Sequence, residues 1–354
     1  MPPTALRNCP VRMRILLTGA GGPASIGVAR SLKRHYLIGT DANPYSLHFA
    51  ETDVKYVTPK ASEPTYVQSL MDICARERIE FVHAQPDTEV EKISEFRDVL
   101  PTTFLPSHET VRRCQDKLAT WRAWSKAEVP VPHTLLISEY QDLVHAFSEL
   151  ERPFWIRLRS GAAGAGSLKV SDLDEARTWI TRHRGWGDFI ASEFLPGGCF
   201  TYQTLWYKGE MIVGQGRERL DWAMGNRAPS GVTGVTGVAR TSNDPRVAAI
   251  ARDAVLAVDK EPHGIFGVDM KCDSAGVPNP TEINIGRFFT TIEFFTRLGL
   301  NFPELYVNLG VSGEKPKVVS SLPAGFYWIR SMDSAPKLVA EQNLHRHIAI
   351  AKAA

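Results

Sequence analysis

A parallel-sheet α/β domain followed by an α+β region is the fold class this sequence predicts, on three observations. Residues 14–105 alternate short apolar runs with stretches of helical periodicity. From Phe154 onward the apolar runs come in pairs joined by turns. Between the two regimes stands Val129-Pro130-Val131-Pro132, which no helix can cross. Strand–helix–strand rhythm implies parallel pairing with right-handed crossovers, and paired runs imply antiparallel hairpins.

The elements follow in order. Arg14-Ile15-Leu16-Leu17-Thr18 is an apolar run ending in glycines and reads as a buried strand. Residues 26–34 carry helical spacing, 36–40 form a second strand ending at Asp41, 65–78 a helix, 79–84 a third strand, 90–100 a helix, and 103–105 a short run. Residues 107–127 read as one helix. Residues 154–159 and 168–170 are strands of a hairpin with a glycine-rich tip, and 172–183 is a helix. Residues 189–193, 200–207 and 211–215 are antiparallel strands, with a turn at Lys208-Gly209-Glu210. An amphipathic helix spans 245–259, and 264–272 with 280–285 form the last hairpin.

Composition bounds the function. The 354 residues are 43% hydrophobic and 23% charged, enough for two or three domains at roughly 150 residues each. The net charge of +2 and the lack of basic runs with interleaved aromatics argue against nucleic acid. Cys9, Cys74, Cys114, Cys199 and Cys272 are widely spaced and form no CxxC, so a reduced, cytoplasmic setting is expected. No run of about 18 apolar residues is present to span a membrane. Residues 1–13 read as a loose tail, without the apolar core of a signal peptide.

Three segments carry chemistry. Phe266-Gly267-Val268-Asp269-Met270-Lys271 and Thr281-Glu282-Ile283-Asn284 sit in the last hairpin. Alternation puts Glu282 and Asn284 on one face, which Asp269 can share from the next strand, with Phe266, Val268 and Met270 on the buried face. Three oxygen ligands suit magnesium; the plainer alternative is a solvated edge with incidental acids. The loop 160–167, with Gly161, Gly164, Gly166 and Ser167, is flanked by Arg157, Arg159 and Lys169. It can close backbone N–H groups over phosphates, or be an ordinary flexible turn. Ser192-Glu193-Phe194-Leu195-Pro196-Gly197 can present a carboxylate and amides beside apolar side chains, or simply end a strand.

In this order, together with Cys114-Gln115-Asp116-Lys117, these segments resemble the ATP-grasp superfamily, closest to its carbamoyl-phosphate-synthase-like and carboxylate–amine ligase members. The resemblance runs from about Arg14 to Gly310. It implies an N-terminal Rossmann-like domain (residues 14–113), then a two-subdomain ATP-grasp fold (114–312). The small nucleotide-clamping part would span about 129–196, the larger metal-binding part about 197–312, with 313–354 as an extension. It implies ATP with Mg2+ (or Mn2+) as cofactors and a carboxylate and an amine as substrates. Position by position, Lys117 falls at the first nucleotide-binding lysine and Arg157 at the second. Arg159 and the loop residues lie along the phosphates, and Glu193, Phe194 and Leu195 lie at the adenine hinge. Asp269, Glu282 and Asn284 take the metal places, and Arg287 is a clamp on the acyl or γ-phosphate. Arg157 replaces a lysine, Cys199 replaces a ribose-binding glutamate, and Asn284-Ile285-Gly286-Arg287 is one residue longer than the usual ending. Homodimers are common among such relatives.

The implied reaction phosphorylates the carboxylate and lets an amine displace the phosphate. Arg219, Arg227 and Arg287 are candidates to hold the carboxylate and oxyanion. Residues 217–237 read as a loop that closes over an anionic substrate, or as a flexible insert. A rival reading starts from Gly19-Ala20-Gly21-Gly22-Pro23-Ala24 with Asp41, the letters of a dinucleotide fingerprint. An NAD-dependent epimerase or reductase would place Tyr56 and Lys60 on one helix, which Pro59 prevents. Otherwise Gly21, Gly22, Asp41, Asp87 and Glu89 frame the second substrate's site, although Asp87 and Glu89 also suit a helix start. A nucleotide-binding module without catalysis is the third class.

Overall fold

The computed structural model describes residues 12–161, 164, 166–227, 229, 231, 233–317, 319–331 and 337–343. The expected tail up to residue 11, with Cys9, lies outside these residues. Among the described residues no helix is long and apolar enough to cross a membrane.

The first sheet is built from β1 (Arg14–Thr18), β2 (Tyr36–Asp41), β3 (Val54–Val57), β4 (Phe81–His83) and β5 (Thr102–Thr103), all parallel, in the order β3-β2-β1-β4-β5. Helices α1 (Pro23–Ser31), α2 (Tyr66–Glu77) and α3 (Asp87–Glu95) connect the strands. Ile15, Leu16 and Leu17 of β1 are fully buried because both faces of a central parallel strand are covered. The chain leaves β1 toward β2 on one side and toward β4 on the other. The reversal opens a crevice at the carboxyl ends of β1 and β4, where α3 begins.

The helix expected over 107–127 is two helices, α4 (His108–Gln115) and α5 (Lys117–Lys126). Asp116 between them is extended (φ −97°, ψ 106°) and caps α5, its carboxylate accepting from Leu118 N and Ala119 N at 2.9 and 3.2 Å. Hydrophobic periodicity continues across such a break, so the sequence conceals it.

The second sheet has β6 (Thr134–Ile137), β7 (Phe154–Leu158), β8 (Leu168–Val170) and β9 (Phe189–Ser192), ordered β6-β9-β7-β8 and backed by α6 (Tyr140–Glu149) and α7 (Leu173–Arg182). The elements β3, β6 and α6 were not anticipated. The third sheet comprises β10 (Cys199–Tyr207), β11 (Glu210–Trp222), β12 (Thr236–Ser242), β13 (Gly264–Cys272), β14 (Pro278–Ile285), β15 (Phe326–Ile329) and β16 (Lys337–Ala340). Their order is β14-β13-β10-β11-β12-β15-β16. The expected loop over 217–237 is corrected here: β11 continues to Trp222 and β12 resumes at Thr236, so Arg217 and Arg219 stand on a strand. Glycines and arginines hid a strand whose side chains alternate normally.

Alternation divides this third sheet into two faces. Phe266, Val268, Met270, Ile283 and Ile285 face the helix α8 (Pro245–Val258) and Trp124 of α5 in one core. The Trp124 indole donates to Ala254 O at 3.0 Å. On the other face Leu205, Val213, Ala239 and Ile265 are covered by α9 (Glu293–Arg297), α10 (Phe302–Ser312) and the back of the first sheet. Farther along the strands that same face is uncovered, and there the polar side chains gather.

Candidate functional site

One row of the third sheet fixes the site. Arg217, Thr201, Asp269 and Glu282 pair in register across β11, β10, β13 and β14. Asp269 and Glu282 therefore stand directly opposite each other, and Asn284 shares their face two residues on. A β-bulge follows, because Met270 pairs with Pro280 and leaves Thr281 extra. The bulge lets both Thr281 and Glu282 line the same cavity, which plain alternation forbids. No feature of the letters Pro-Thr-Glu marks this in advance.

The cavity encloses about 330 Å³ beneath the glycine loop, walled by Lys117, Arg157, Asp269, Glu282, Asn284 and Arg287, with Gly161, Gly164 and Ser167 above. Among the described residues its walls carry five cations (Lys117, Arg157, Arg217, Arg219, Arg287) against three carboxylates (Asp87, Asp269, Glu282). Among the described residues no three His, Cys, Asp or Glu side chains cluster as a metal site by themselves. Two carboxylates and an amide fit a magnesium ion that takes its other ligands from water and phosphate. Asp269 and Asn284 are at present held by donors, and Glu282 faces a cation. Asp269 accepts from Thr201 Oγ1 at 2.7 Å and pairs with Arg219 at 3.2 Å. Glu282 lies 3.7 Å from Lys117 Nζ. Asn284 Oδ1 accepts from Arg287 Nη2 at 2.5 Å, and Arg287 also pairs with Asp87.

The cations stand where folding alone would not put them. Lys117 is the first residue of α5, where the helix dipole repels positive charge, and it is 8% exposed. Burial pushes its ammonium below the usual lysine range, opposed by Glu282. Its Nζ donates to Gly161 O at 2.8 Å, tying α5 to the glycine loop. Burial likewise lowers Arg157, whose Nε has no partner among the described residues. An anion between Lys117, Arg157 and the loop would reverse both penalties.

Arg157, Gly164, Ser167 and Thr281 also border a second hollow of about 350 Å³ between the second and third sheets. Trp155, Phe194, Leu195 and Met270 give it apolar walls. Glu193, Lys271 and Cys199 also line it. Lys169 Nζ lies 5.3 Å from the Phe194 ring. A flat apolar slot opening onto a cationic, carboxylate-floored cavity can take a nucleotide base first and its phosphates beyond.

The structure thus brings together Lys117, Arg157, Gly161, Gly164, Ser167, Asp87, Arg219, Arg287 and the three expected metal-site residues Asp269, Glu282 and Asn284, with Glu193, Phe194 and Leu195 in the adjoining slot. Other expected residues lie elsewhere. Arg159 is half-buried but bonded to Asp116, outside both hollows. Gly166 turns the chain at φ +70° against Leu158. Arg227 is exposed in a single 3-10 turn (Gly225–Arg227). Gly21 and Asp41 bond to each other, Gly21 N to Asp41 Oδ2 at 3.3 Å, and a Cβ on Gly21 would lie 2.0 Å from Ser46 O. That glycine admits the protein's own backbone rather than a pyrophosphate. Gly22 caps α1, and Tyr56 sits on β3, its hydroxyl donating to Glu77. Sequence reasoning missed Thr281, Gln85, Arg217 and the wall Phe289-Thr290, all of which line the main cavity.

Glu89 is turned away from the cavity, toward Thr18 and Tyr66, and is 6% exposed. Burial pushes its carboxyl up from 4.5 to about 7, with Thr18 and Tyr66 opposing. Between these values the folded state binds more protons, so stability falls as pH rises, and above about 7 the full burial cost remains. That gap corresponds to roughly 3 kcal/mol. Glu89→Gln is therefore expected to melt higher than the wild type at pH 8 and nearly level with it at pH 4. Equal differences at both pH values would refute this account of Glu89.

Comparison with known proteins agrees with the geometry. A family model described as an ATP-grasp domain matches residues 114–291, and one described as a PylC-like N-terminal domain matches residues 15–101. No curated protein matches the sequence. Similar folds occur in the carboxyaminoimidazole ribonucleotide synthase of Aspergillus clavatus complexed with ATP (14% identity, covering 90% of this chain and 81% of that one, TM-score 0.69). Another is the L-amino acid ligase of Bacillus licheniformis (13%, 90% and 79%, TM-score 0.66). A third is the biotin carboxylase domain of Hydrogenobacter thermophilus 2-oxoglutarate carboxylase, in complex with MgADP, ADP and bicarbonate (14%, 90% and 74%, TM-score 0.68).

Proposed function

The chain belongs to the ATP-grasp family, and from that premise we propose that it is a magnesium- and ATP-dependent ligase joining a small carboxylic acid to an amine. The observation that carries this reading is the facing pair Asp269–Glu282, with Asn284, on the floor of a cation-rich cavity that continues into an apolar slot. The L-amino acid ligase of B. licheniformis, whose fold this chain shares, is in keeping with that class of reaction. Bicarbonate, present in the H. thermophilus complex, ranks lower as the acid here.

In this reading Trp155, Phe194 and Leu195 would take the adenine, and Arg157 and Lys117, with Gly161 and Gly164 above, would hold the phosphates. Asp269, Glu282 and Asn284 would hold the magnesium, which when bound would supply charge neutralisation for the transferred phosphoryl group. A carboxylate oxygen of the acid attacks the γ-phosphorus, the bond to the bridging oxygen breaks, and ADP leaves with that electron pair. The amine then attacks the carbonyl carbon of the acyl phosphate. The resulting oxyanion meets Arg219 or Arg287, phosphate departs, and the new amide nitrogen gives up a proton. Alignment and charge placement do most of this work, so no nucleophilic side chain is required. Residues 114–312 would be the catalytic unit, with 14–113 closing the cavity through Gln85, Pro86 and Asp87.

The test is release of ADP and phosphate over pooled acids and amines. A ligase releases both only with ATP, magnesium, acid and amine together. Binding of NAD in place of ATP would return the chain to the dehydrogenase class, whose Gly21 and Tyr56 geometry is already unfavourable. Tight ATP binding without ADP release across the pools would leave a holding module.

A further inference from the structure

Four of the five cavity cations among the described residues already have a part in that reading. Lys117 and Arg219 hold Glu282 and Asp269, Arg287 holds Asp87 and Asn284, and Arg157 borders the slot. Arg217 does not. It is 2% exposed, its guanidinium carbon lies over the Phe289 ring 4.1 Å from the centroid, and it donates through Nη1 to Thr291 Oγ1 at 2.5 Å. Among the described residues its buried Nε has no partner, and no carboxylate lies within ion-pair distance. Burial and the adjacent Arg219 push it down to about 9. A guanidinium stacked on one face keeps its Nε–Nη2 edge as a planar, two-donor fork, the shape that receives a carboxylate.

The surroundings form a built end to the cavity. Thr236 and Thr290 line it, and Arg330, just past β15, ties the two walls together. Arg330 donates to Thr236 O at 2.9 Å and to Thr290 O at 3.1 Å. Arg217 shares the row of Asp269 and Glu282 but stands two strands from Asp269, about 10 Å across the sheet. An acid whose reacting carboxylate lies at the metal row therefore needs a second group to reach Arg217.

We propose that Arg217, stacked on Phe289 and oriented by Thr291, binds a second carboxylate of the acid substrate, so that the acid is a short dicarboxylic acid. The inference rests on the ligase reading for the place of the reacting carboxylate, and the binding arm below separates the two. With magnesium and ADP present, affinities are measured calorimetrically for succinate and glutarate against butyrate, and for 3-phosphoglycerate against glycerate. ADP release with ATP and pooled amines is measured alongside. The expected result is a diacid preference of at least about tenfold, the value of one charge-assisted bond. That preference is lost in Arg217→Met, and it is weakened in Arg217→Lys and Thr291→Val, which also cover a folding failure of the methionine variant. Diacid-selective binding without ADP release would support the subsite and remove the ligase reading. ADP release with no diacid preference, no binding of any diacid, or a preference for the phosphorylated acid would overturn the subsite.

Discussion

Glu282→Gln is expected to lower magnesium-dependent ADP release by about a hundredfold to a thousandfold, the usual effect of removing one preorganised charge from a reacting centre. The substitution keeps the size of the side chain, which is half-buried and makes no hydrogen bond that the fold needs. Lys117 keeps its bond to Gly161 O, so melting should stay within a few degrees of wild type. The loss should also appear as a higher magnesium requirement, because an amide is a weaker ligand than a carboxylate for a hard cation. Asp269 faces Glu282 directly, so Asp269→Asn should behave alike. Activity within about threefold of wild type, at low and high magnesium, would remove Glu282 from the metal role.

The floor of this site was legible in the sequence because alternation is rigid along a strand. Once Phe266, Val268 and Met270 are assigned to the core, Asp269 must point the other way, and Glu282 and Asn284 follow from the partner strand. The parallel sheet was legible for a similar reason, since buried runs such as Ile15-Leu16-Leu17 occur where helices cover both faces. What escaped were features set by pairing. The bulge at Thr281 depends on register between two strands. Arg217 escaped because Gly216, Arg217 and Arg219 imitate a loop in composition, and only pairing with Thr201 and Thr241 makes that segment a strand. Arg227, with the same composition around it, does fall in a turn. Asp41 and Gly21 fit a fingerprint in spacing, yet the backbone at Ser46 fills the space a dinucleotide would need.

Arg287→Met is expected to reduce ADP release by about a hundredfold, and Asp87→Asn by about tenfold, with the double variant no worse than Arg287→Met alone. The reason lies in what Arg287 joins. Its guanidinium pairs with Asp87, at the start of α3 in the first sheet's crevice, and donates to Asn284 Oδ1 on the metal row. An amide oxygen has two lone pairs, so Asn284 can keep that donor while turning the other pair toward a metal. Asp87 would then act by positioning Arg287 rather than by touching substrate. Its removal costs nothing further once the arginine is gone, which corresponds to a coupling of about 1.4 kcal/mol between the two sites. A structural role alone would show in melting temperature, whereas positioning shows in kcat with the apparent nucleotide affinity preserved. If the two losses instead multiply to about a thousandfold, Asp87 meets the amine or the acid by itself. In that case the crevice of the first sheet contributes a substrate contact independent of the arginine.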